Sequence, residues 1–278
     1  MRTLTVPAPA KLNLFLHVTG RRADGYHTLE TLFVALDFGD TITLALRNDG
    51  AITRSGKEFG VSAERDLAVR AASALQRASG CASGVDVAVV KRIPVGGGLG
   101  GGSSDAASVL LALNRLWDLG MSRVELARVG LELGADVPFF LSAEPALARG
   151  IGERLTPVSL PGFWVAVLVP ACAVSTATIF AAPELTRESE SAKMNVFSEG
   201  YGRNDLQAVA VARYPDIGAA LAALSIHSSA ARMTGSGSCA FAPFATEAQA
   251  RAAIAAQPHA MQGFVARTLA RHPLAAFA

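Results

Sequence analysis

A chain of 278 residues, 51% of them hydrophobic, can bury a large core, which excludes disorder as a description of the whole chain and allows one large domain or two smaller ones. The formal net charge of +2 gives no basic footprint for nucleic acid or membrane, so neither is an expected partner. Cys81, Cys172 and Cys239 form no Cys-x-x-Cys pair, which argues against a zinc site or disulfide framework and favours the cytoplasm. We expect no secretory leader and no apolar run of the roughly 20 residues that a membrane helix needs.

The first predicted element is a strand over Ala10–Val18. Residue alternation places Lys11 and Asn13 together on one face of this strand, with leucines on the other face. A turn is predicted at Gly20–Gly25, followed by strands at Thr28–Leu36 and Thr41–Leu46. The chain therefore begins with an antiparallel sheet.

Helices and a glycine-rich segment follow the sheet. A helix over Asp66–Ala78 and a buried strand over Val85–Lys91 lead directly into the glycines. The next helix is predicted to begin with Ser103 or Ser104 as its N-cap. Two more helices are predicted after it, the first opened by the capping box of Ser122 and Glu125 and ended by Gly134, the second starting at Ala135–Pro138.

The pattern loosens over Gly150–Pro161, which predicts a domain boundary there. The second half is predicted to be a separate α+β unit. Its expected elements are strands at Trp164–Val169, Cys239–Pro243 and Phe264–Thr268, a polar loop around Arg187–Lys193, and helices over Asp205–Arg213 and from Thr246.

The segment Pro94–Ser104 holds six glycines, and a helix is predicted directly after them. Positions without a Cβ let consecutive backbone N–H groups converge on one anion, and the helix start adds its unpaired N–H groups and positive dipole end. Ser103 and Ser104 add hydroxyl donors. The segment therefore predicts a phosphate-binding loop.

Three other interpretations fit this loop less well. Gly96, Gly98 and Gly101 fit the dinucleotide pattern G-x-G-x-x-G, but a helix follows where that fold needs a second parallel strand. Gly97 and Gly102 have the Walker spacing, but Ser103 stands where the lysine should be. A flexible linker seldom follows a buried strand and opens a capped helix.

Transfer of a phosphoryl group needs charge neutralisation and a group that orients or deprotonates the attacking alcohol. Asp136 can accept the hydroxyl proton and Lys11 can stabilise the developing negative charge. Each also has an ordinary structural interpretation, Asp136 as a helix N-cap and Lys11 as a solvated strand residue. The loop Thr234–Cys239, with Gly235, Ser236 and Gly237, either closes over a triphosphate or forms only a tight turn.

Three segments, Pro9–Leu14, Pro94–Ser104 and Met233–Ser238, resemble in sequence and order the motifs of the GHMP kinases (galactokinase, homoserine kinase, mevalonate kinase and phosphomevalonate kinase). The resemblance implies an α+β fold with an N-terminal α/β domain, residues 1–155, that holds a mixed sheet. It also implies a ferredoxin-like C-terminal domain, residues 156–278, and an active site in the cleft between the two. ATP would be bound by Pro94, Val95, Gly96, Gly97, Gly98, Leu99, Gly100, Gly101, Gly102, Ser103 and Ser104.

Within the family, Ala10–Leu14, Arg22–His27, Gly96–Ser104 and Leu133–Pro138 together resemble the kinases of the non-mevalonate route to isoprenoid precursors. This implies that ATP, accompanied by Mg²⁺, phosphorylates the 2-hydroxyl of a methylerythritol linked to cytidine diphosphate. Asp136 would be the catalytic base and Lys11 its partner. Asn13 would contact the substrate. Tyr26 would stack on the cytosine ring, with Phe180 as a second stacking face, and His27 would hydrogen-bond it.

Several points stay open at this stage. Tyr26 and His27 could equally be a packing residue and a surface histidine beside a turn. Another GHMP kinase, acting on homoserine or mevalonate phosphate, and a non-catalytic nucleotide- or RNA-binding module on the same scaffold remain as alternatives. The loop Thr186–Gly200 matches nothing in the family, the Mg²⁺ ligands are not fixed beyond a loop serine with phosphates and waters, and a homodimer is compatible with the sequence.

Overall fold

The computed structural model describes residues 2–56, 60–191, 202–258 and 261–277. Their strands are β1 Thr3–Arg21, β2 His27–Arg47, β3 Ile52–Ser55, β4 Gly84–Val90, β5 Ala146–Arg149, β6 Arg154–Pro157, β7 Trp164–Val169, β8 Arg232–Met233, β9 Ala240–Phe244 and β10 Gln262–Leu269. Their helices are α1 Leu67–Ser79, α2 Gly101–Leu116, α3 Arg123–Leu131, α4 Val137–Leu141, α5 Thr176–Phe180, α6 Gln207–Arg213, α7 Pro215–Ser225 and α8 Glu247–Ala255. Within these ranges, no helix combines the length and the apolar character that crossing a bilayer requires.

The strands form one mixed sheet with the order β3-β4-β2-β10-β7-β9-β8, and β1 and β5 also pair with β2. β3 and β4 run parallel, whereas the other pairs are antiparallel. Leu12 and Asn13 are consecutive in β1, so their side chains point to opposite faces, and both are buried. Layers of side chains therefore cover this strand on each side. The predicted α+β class with a mixed sheet is confirmed.

The second half has the strand order of a ferredoxin-like unit. Its strands lie in the order β10-β7-β9-β8, and helices connect β7 to β8 and β9 to β10. Ala166 and Leu168 of β7 pack with Ala240 and Ala242 of β9 in the same hydrophobic cluster as helices α6, α7 and α8. The helices therefore cover one face of this part of the sheet, as predicted from the family resemblance.

The structure corrects the prediction of two separate strands at Thr28–Leu36 and Thr41–Leu46. They are one continuous strand, β2, which runs from His27 to Arg47 through a polar stretch. Gly39 lies opposite Pro9 at an irregularity of β1, where a Cβ on Gly39 would lie 2.3 Å from the Ala8 carbonyl oxygen. Glycine thus allows a close backbone contact that keeps the strand unbroken.

Most predicted helix starts are confirmed, with one exception. Asp66 caps α1 by accepting a hydrogen bond from the Ala68 N–H, and Ser122 with Glu125 forms the expected capping box of α3. The N-cap of α2 is neither Ser103 nor Ser104 but Gly100, which has φ 72°. Because this left-handed conformation suits glycine, the helix begins three or four residues earlier than hydroxyl caps suggest, already within the glycine segment.

Three hydrophobic clusters form the core of the described part of the chain. One lies under α1, α2 and α4 in the first half, and a second lies under the helices of the second half. The third joins the halves, since Leu12 and Val34 of β1 and β2 pack with Val167 and Phe241 of β7 and β9.

Residue 155, the predicted end of the first domain, lies inside β6, and Leu274 near the C-terminus packs in the first cluster. The division at 155/156 stays a prediction.

Candidate active site

One large cleft, with a volume of about 1000 Å³, opens between the glycine segment, the start of α4 and the loop before β9. Its walls include every predicted site residue except Ser104: Lys11, Asn13, Tyr26, His27, Pro94, Val95, Gly96, Gly97, Gly98, Leu99, Gly100, Gly101, Gly102, Ser103, Asp136, Phe180, Gly235, Ser236 and Gly237. Residues from distant parts of the sequence thus meet in one place, which is the usual form of a small-molecule site.

Lys11 and Asp136 form an ion pair in this cleft. The Lys11 Nζ lies 3.5 Å from the Asp136 Oδ2 and donates a hydrogen bond of 2.5 Å to the Asn13 Oδ1. Both side chains line the cleft, but Lys11 is 4% exposed and Asp136 34% exposed, so the carboxylate is the more accessible partner. Burial lowers the pKa of Lys11, and the charge and hydrogen bond of Asp136 partly offset that change.

Asn13 connects this pair to the second half. Its Nδ2 donates to the Thr31 Oγ1 at 2.8 Å, and its backbone N–H donates to the Thr234 Oγ1 at 2.9 Å. The orientation of the Asn13 amide is therefore fixed, with Oδ1 directed at Lys11. The backbone of Lys11 is tied to the glycine segment, because its N–H donates to the Leu99 carbonyl.

Asp136 stands directly before α4, as its N-cap interpretation requires, but its side chain makes no capping hydrogen bond. The backbone of Asp136 is helical, whereas a capping residue normally has extended backbone angles that aim the side chain at the first turn. The carboxylate is instead directed at Lys11. Helix capping therefore does not account for this residue.

The glycine segment forms a loop that closes against Lys11. Gly96, Gly98 and Gly100 all have φ between 72° and 75°, in the left-handed region. A Cβ on Gly100 would lie 3.0 Å from both the Lys11 Cγ and the Phe140 Cζ. Glycine at this position thus lets the loop and the start of α2 approach the ammonium group closely.

The loop Thr234–Cys239 packs on the glycine segment. The Ser238 and Cys239 N–H groups donate to the Gly96 and Gly97 carbonyls at 3.2 and 3.1 Å. Ser236 is tied to α5 by a hydrogen bond of 2.7 Å between its hydroxyl and that of Thr176. The second half therefore covers one side of the loop, and Gly235, Ser236 and Gly237 reach the cleft wall.

The prediction that Ser104 offers a hydroxyl to phosphate is wrong. Its side chain is fully buried and donates to the Pro9 carbonyl at 2.6 Å, while its N–H donates to the Gly100 carbonyl. Because α2 begins at Gly101, Ser104 lies a full turn inside the helix and faces β1. Ser103 is the serine that lines the cleft.

Three rings stand along the cleft wall away from the glycine loop. Tyr26 is 62% exposed, whereas His27 is buried and Phe180 half-buried. The His27 and Phe180 rings stack with their centroids 5.1 Å apart. The ordinary interpretation of His27 as a surface histidine is therefore wrong, although the roles of the three residues toward a base stay predictions.

The sequence analysis did not single out two groups that the structure places at the cleft. Arg187 donates to the His27 Nε2 at 3.1 Å, and residues 186–191 are the part of the predicted loop Thr186–Gly200 that lies within the described residues. Lys91 forms ion pairs with Asp40 and Asp105, and burial raises the pKa of Asp105 to about 7. Lone charged residues at a strand end or in a loop carry no distinctive sequence signal.

Comparison with known proteins bears directly on this arrangement. Residues 66–144 match the model of the GHMP kinases N terminal domain, and residues 185–261 match that of the GHMP kinases C terminal domain. The chain belongs to the GHMP kinase family. It is 55% identical over 268 residues to the 4-diphosphocytidyl-2-C-methyl-D-erythritol kinase of Thiobacillus denitrificans, covering 96% of both chains. It is 53% identical to the enzyme of the same name from Aromatoleum aromaticum, covering 98% of this chain and 96% of that one.

Solved structures agree with the family. A crystal structure of 4-(cytidine 5'-diphospho)-2C-methyl-D-erythritol kinase superposes with a TM-score of 0.83 at 34% identity, covering 95% of this chain and 99% of that one. Homoserine kinase from Cytophaga hutchinsonii superposes with a TM-score of 0.70 at 16% identity over 98% of this chain and 96% of the other, which shows the shared fold alone. The predicted family and fold are confirmed.

Proposed function

We propose that this chain is a kinase that transfers the γ-phosphoryl group of ATP to the 2-hydroxyl of 4-diphosphocytidyl-2-C-methyl-D-erythritol, a step toward isoprenoid precursors. The observation that carries this proposal is the contact of 3.5 Å between the Lys11 Nζ and the Asp136 Oδ2, made beside the glycine loop in a cleft that also holds Tyr26 and His27. The names of the close relatives supply the substrate.

In the proposed reaction the backbone N–H groups of Gly96–Ser103 and the start of α2 bind the phosphates of ATP. The alcohol oxygen bonds to the γ-phosphorus while the bond from phosphorus to the β,γ-bridging oxygen breaks, so that ADP leaves with that electron pair. Asp136, the more accessible partner, orients the hydroxyl and takes its proton. Lys11, enclosed behind it, stabilises the negative charge of the transferring group.

Mg²⁺ enters as part of the nucleotide substrate. Ser103 lines the cleft, and its hydroxyl oxygen is a ligand that Mg²⁺ accepts beside phosphates and waters. Cys81, Cys172 and Cys239 are free thiols, which suits a reducing compartment that supplies ATP, so we place the reaction in the cytoplasm. The proposed binding partner of the chain is the small-molecule substrate, 4-diphosphocytidyl-2-C-methyl-D-erythritol.

The test is an ADP-release assay of the purified chain with ATP, Mg²⁺ and four alcohols: the cytidine diphosphate ester of methylerythritol, methylerythritol phosphate, homoserine and phosphomevalonate. Turnover is expected with the cytidine-bearing ester, and phosphorus NMR should show one new phosphomonoester. Equal kcat/KM for methylerythritol phosphate would contradict a role of Tyr26 and His27 in base recognition. Turnover of homoserine or phosphomevalonate in preference would overturn the substrate assignment.

A further inference from the structure

We infer that Arg187 is a positioning residue that fixes the tautomer of His27, so that the site accepts a cytosine ring and rejects uracil. This inference rests on the proposed function, because it concerns the base of the proposed substrate. It adds a specificity role for a residue that lies outside the family motifs.

Hydrogen bonds hold the Arg187 side chain against the chain segment beside the stacked His27 and Phe180 rings. Its guanidinium group donates to the carbonyl oxygens of Phe180 at 3.2 Å, Ala182 at 2.6 Å and Leu185 at 3.0 Å, and it also reaches the Pro183 carbonyl. These carbonyls belong to the last residue of α5, Phe180, and to the segment that follows the helix. The planar, multi-donor group is therefore held in one orientation, as a lysine ammonium would not be.

The remaining donor of Arg187 decides the state of His27. The Arg187 Nε lies 3.1 Å from the His27 Nε2, and a guanidinium group can only donate hydrogen bonds. Nε2 must therefore be the unprotonated nitrogen, and a neutral ring then carries its proton on Nδ1. Burial lowers the pKa of His27, and the charges of Arg187 and Arg21 lower it further, so the neutral form is favoured.

Nδ1 is the nitrogen that a ligand can reach. Nδ1 has no hydrogen-bond partner among the described residues, and it is not enclosed by protein atoms. The His27 ring lines the cleft. His27 thus presents a hydrogen-bond donor to the cleft, which is also lined by the exposed Tyr26 and by Phe180, the ring on which His27 stacks.

A donor at this place distinguishes two pyrimidines. Cytosine carries a lone pair on its ring nitrogen N3, whereas uracil carries a hydrogen there. An Nδ1–H group directed at N3 therefore makes a hydrogen bond with cytosine and meets a second donor in uracil. A site built around such a bond rejects the analogue that leaves its polar group unpaired.

The kinetic test compares the cytidine and uridine diphosphate esters of methylerythritol as substrates of wild type and of Arg187→Met. We expect wild type to prefer the cytidine ester by about 100-fold or more in kcat/KM, and the variant to lose about tenfold or more of this preference, mainly through KM. Arg213→Met is the matched control. Arg213 donates to the Thr178 carbonyl of α5, the helix whose end Arg187 also contacts, and it pairs with Glu184. It does not line the cleft.

The preference of Arg213→Met should equal that of wild type. An undiminished preference in a folded Arg187→Met variant overturns the inference while the proposed function stands. Absence of turnover of the cytidine ester by wild type itself overturns the proposed function, and the inference with it.

A spectroscopic measurement decides the point without a substrate and without a variant at Arg187. Histidine ¹⁵N NMR of the wild-type protein, with the His27 signal identified by its loss in His27→Gln, should show the Nδ1–H tautomer. A His27 ring protonated on Nε2 overturns the inference. In Arg187→Met the pKa of His27 should rise, because a neighbouring positive charge is removed.

Discussion

Lys11 and Asp136 form an ion pair in which the two partners differ in exposure. The Lys11 side chain is 4% exposed and the Asp136 side chain 34%, with 3.5 Å between the Nζ and Oδ2 atoms. The enclosed ammonium group cannot exchange readily with solvent, whereas the carboxylate can meet an incoming hydroxyl. This asymmetry assigns different roles to the two residues and makes their variants distinguishable.

Asp136→Asn should lower kcat by roughly 10²–10⁴-fold, the range in which a positioned acid–base group contributes. The amide keeps the shape of the side chain but cannot take a proton. Because Asp136 is not bonded to the glycine loop or to the cap of α4, ATP affinity should change little. Steady-state kinetics and nucleotide titration by calorimetry measure the two quantities, and a kcat within twofold of wild type would remove Asp136 from the reaction.

Lys11→Met should lower kcat by about 10²–10³-fold, as loss of one charge-stabilising group does, without lowering the melting temperature. Burial of the ammonium group opposes its charged form, so its removal relieves a desolvation penalty, while the partner carboxylate of Asp136, 34% exposed, keeps contact with water. In wild type the depressed pKa of Lys11 also predicts that kcat falls on the alkaline side at a pH below the usual value of 10.5. Thermal unfolding separates the two effects, since a large drop in melting temperature would make Lys11 a structural residue.

Local signals in the sequence predicted much of the fold. The capping box at Ser122 and the cap at Asp66 depend on residues a few positions apart, so the sequence alone reveals them. The continuity of β2 was missed because it depends on Gly39 packing against a strand far away in the chain. Elements with such local signals were therefore predictable, whereas features set by distant contacts were not. The elements β3, β5, β6, β8, α5 and α7 were not predicted, and β1 begins seven residues before its predicted start at Ala10.

The same distinction holds for the site. Motif residues around Lys11, the glycine loop and Asp136 were predicted, and the structure places them in one cleft. Arg187 was missed, because its hydrogen bond to His27 exists only after α5 has packed beside the start of β2. The burial of Ser104 was also missed, since it follows from where α2 begins.

Two alanine variants test the packing of the glycine loop. Gly96 and Gly98 share φ 75°, so alanine costs each about 1–2 kcal/mol of backbone strain. A Cβ on Gly98 would lie 2.3 Å from the Thr234 carbonyl oxygen, whereas a Cβ on Gly96 would meet no atom within 4 Å. Gly98→Ala should therefore lose at least about 2 kcal/mol more unfolding free energy than Gly96→Ala. Urea denaturation measures the difference, and equal losses would show that the two loops are not packed as described.

His272 should make the protein less stable in acid. It is buried, its Nδ1 accepts a hydrogen bond from the Leu274 N–H, and its Nε2 is enclosed without a partner among the described residues. Burial, aided by the charge of Arg123, lowers its pKa from 6.5 to about 4. Since the unfolded chain binds this proton more tightly, stability is complete above pH 6.5 and falls as the pH drops toward 4.

The expected loss of unfolding free energy from this one group is about 2 kcal/mol between pH 8 and pH 5, since each unit of pKa difference corresponds to about 1.4 kcal/mol. His272→Asn keeps an acceptor for the Leu274 N–H but cannot be protonated, so its stability should fall by about that much less over the same interval. His227→Asn, at an exposed position after α7, is the matched control and should keep the wild-type slope. Urea denaturation at the two pH values measures each slope. Parallel curves for wild type and His272→Asn would mean that His272 has the same pKa in the folded and the unfolded protein, and they would contradict the prediction.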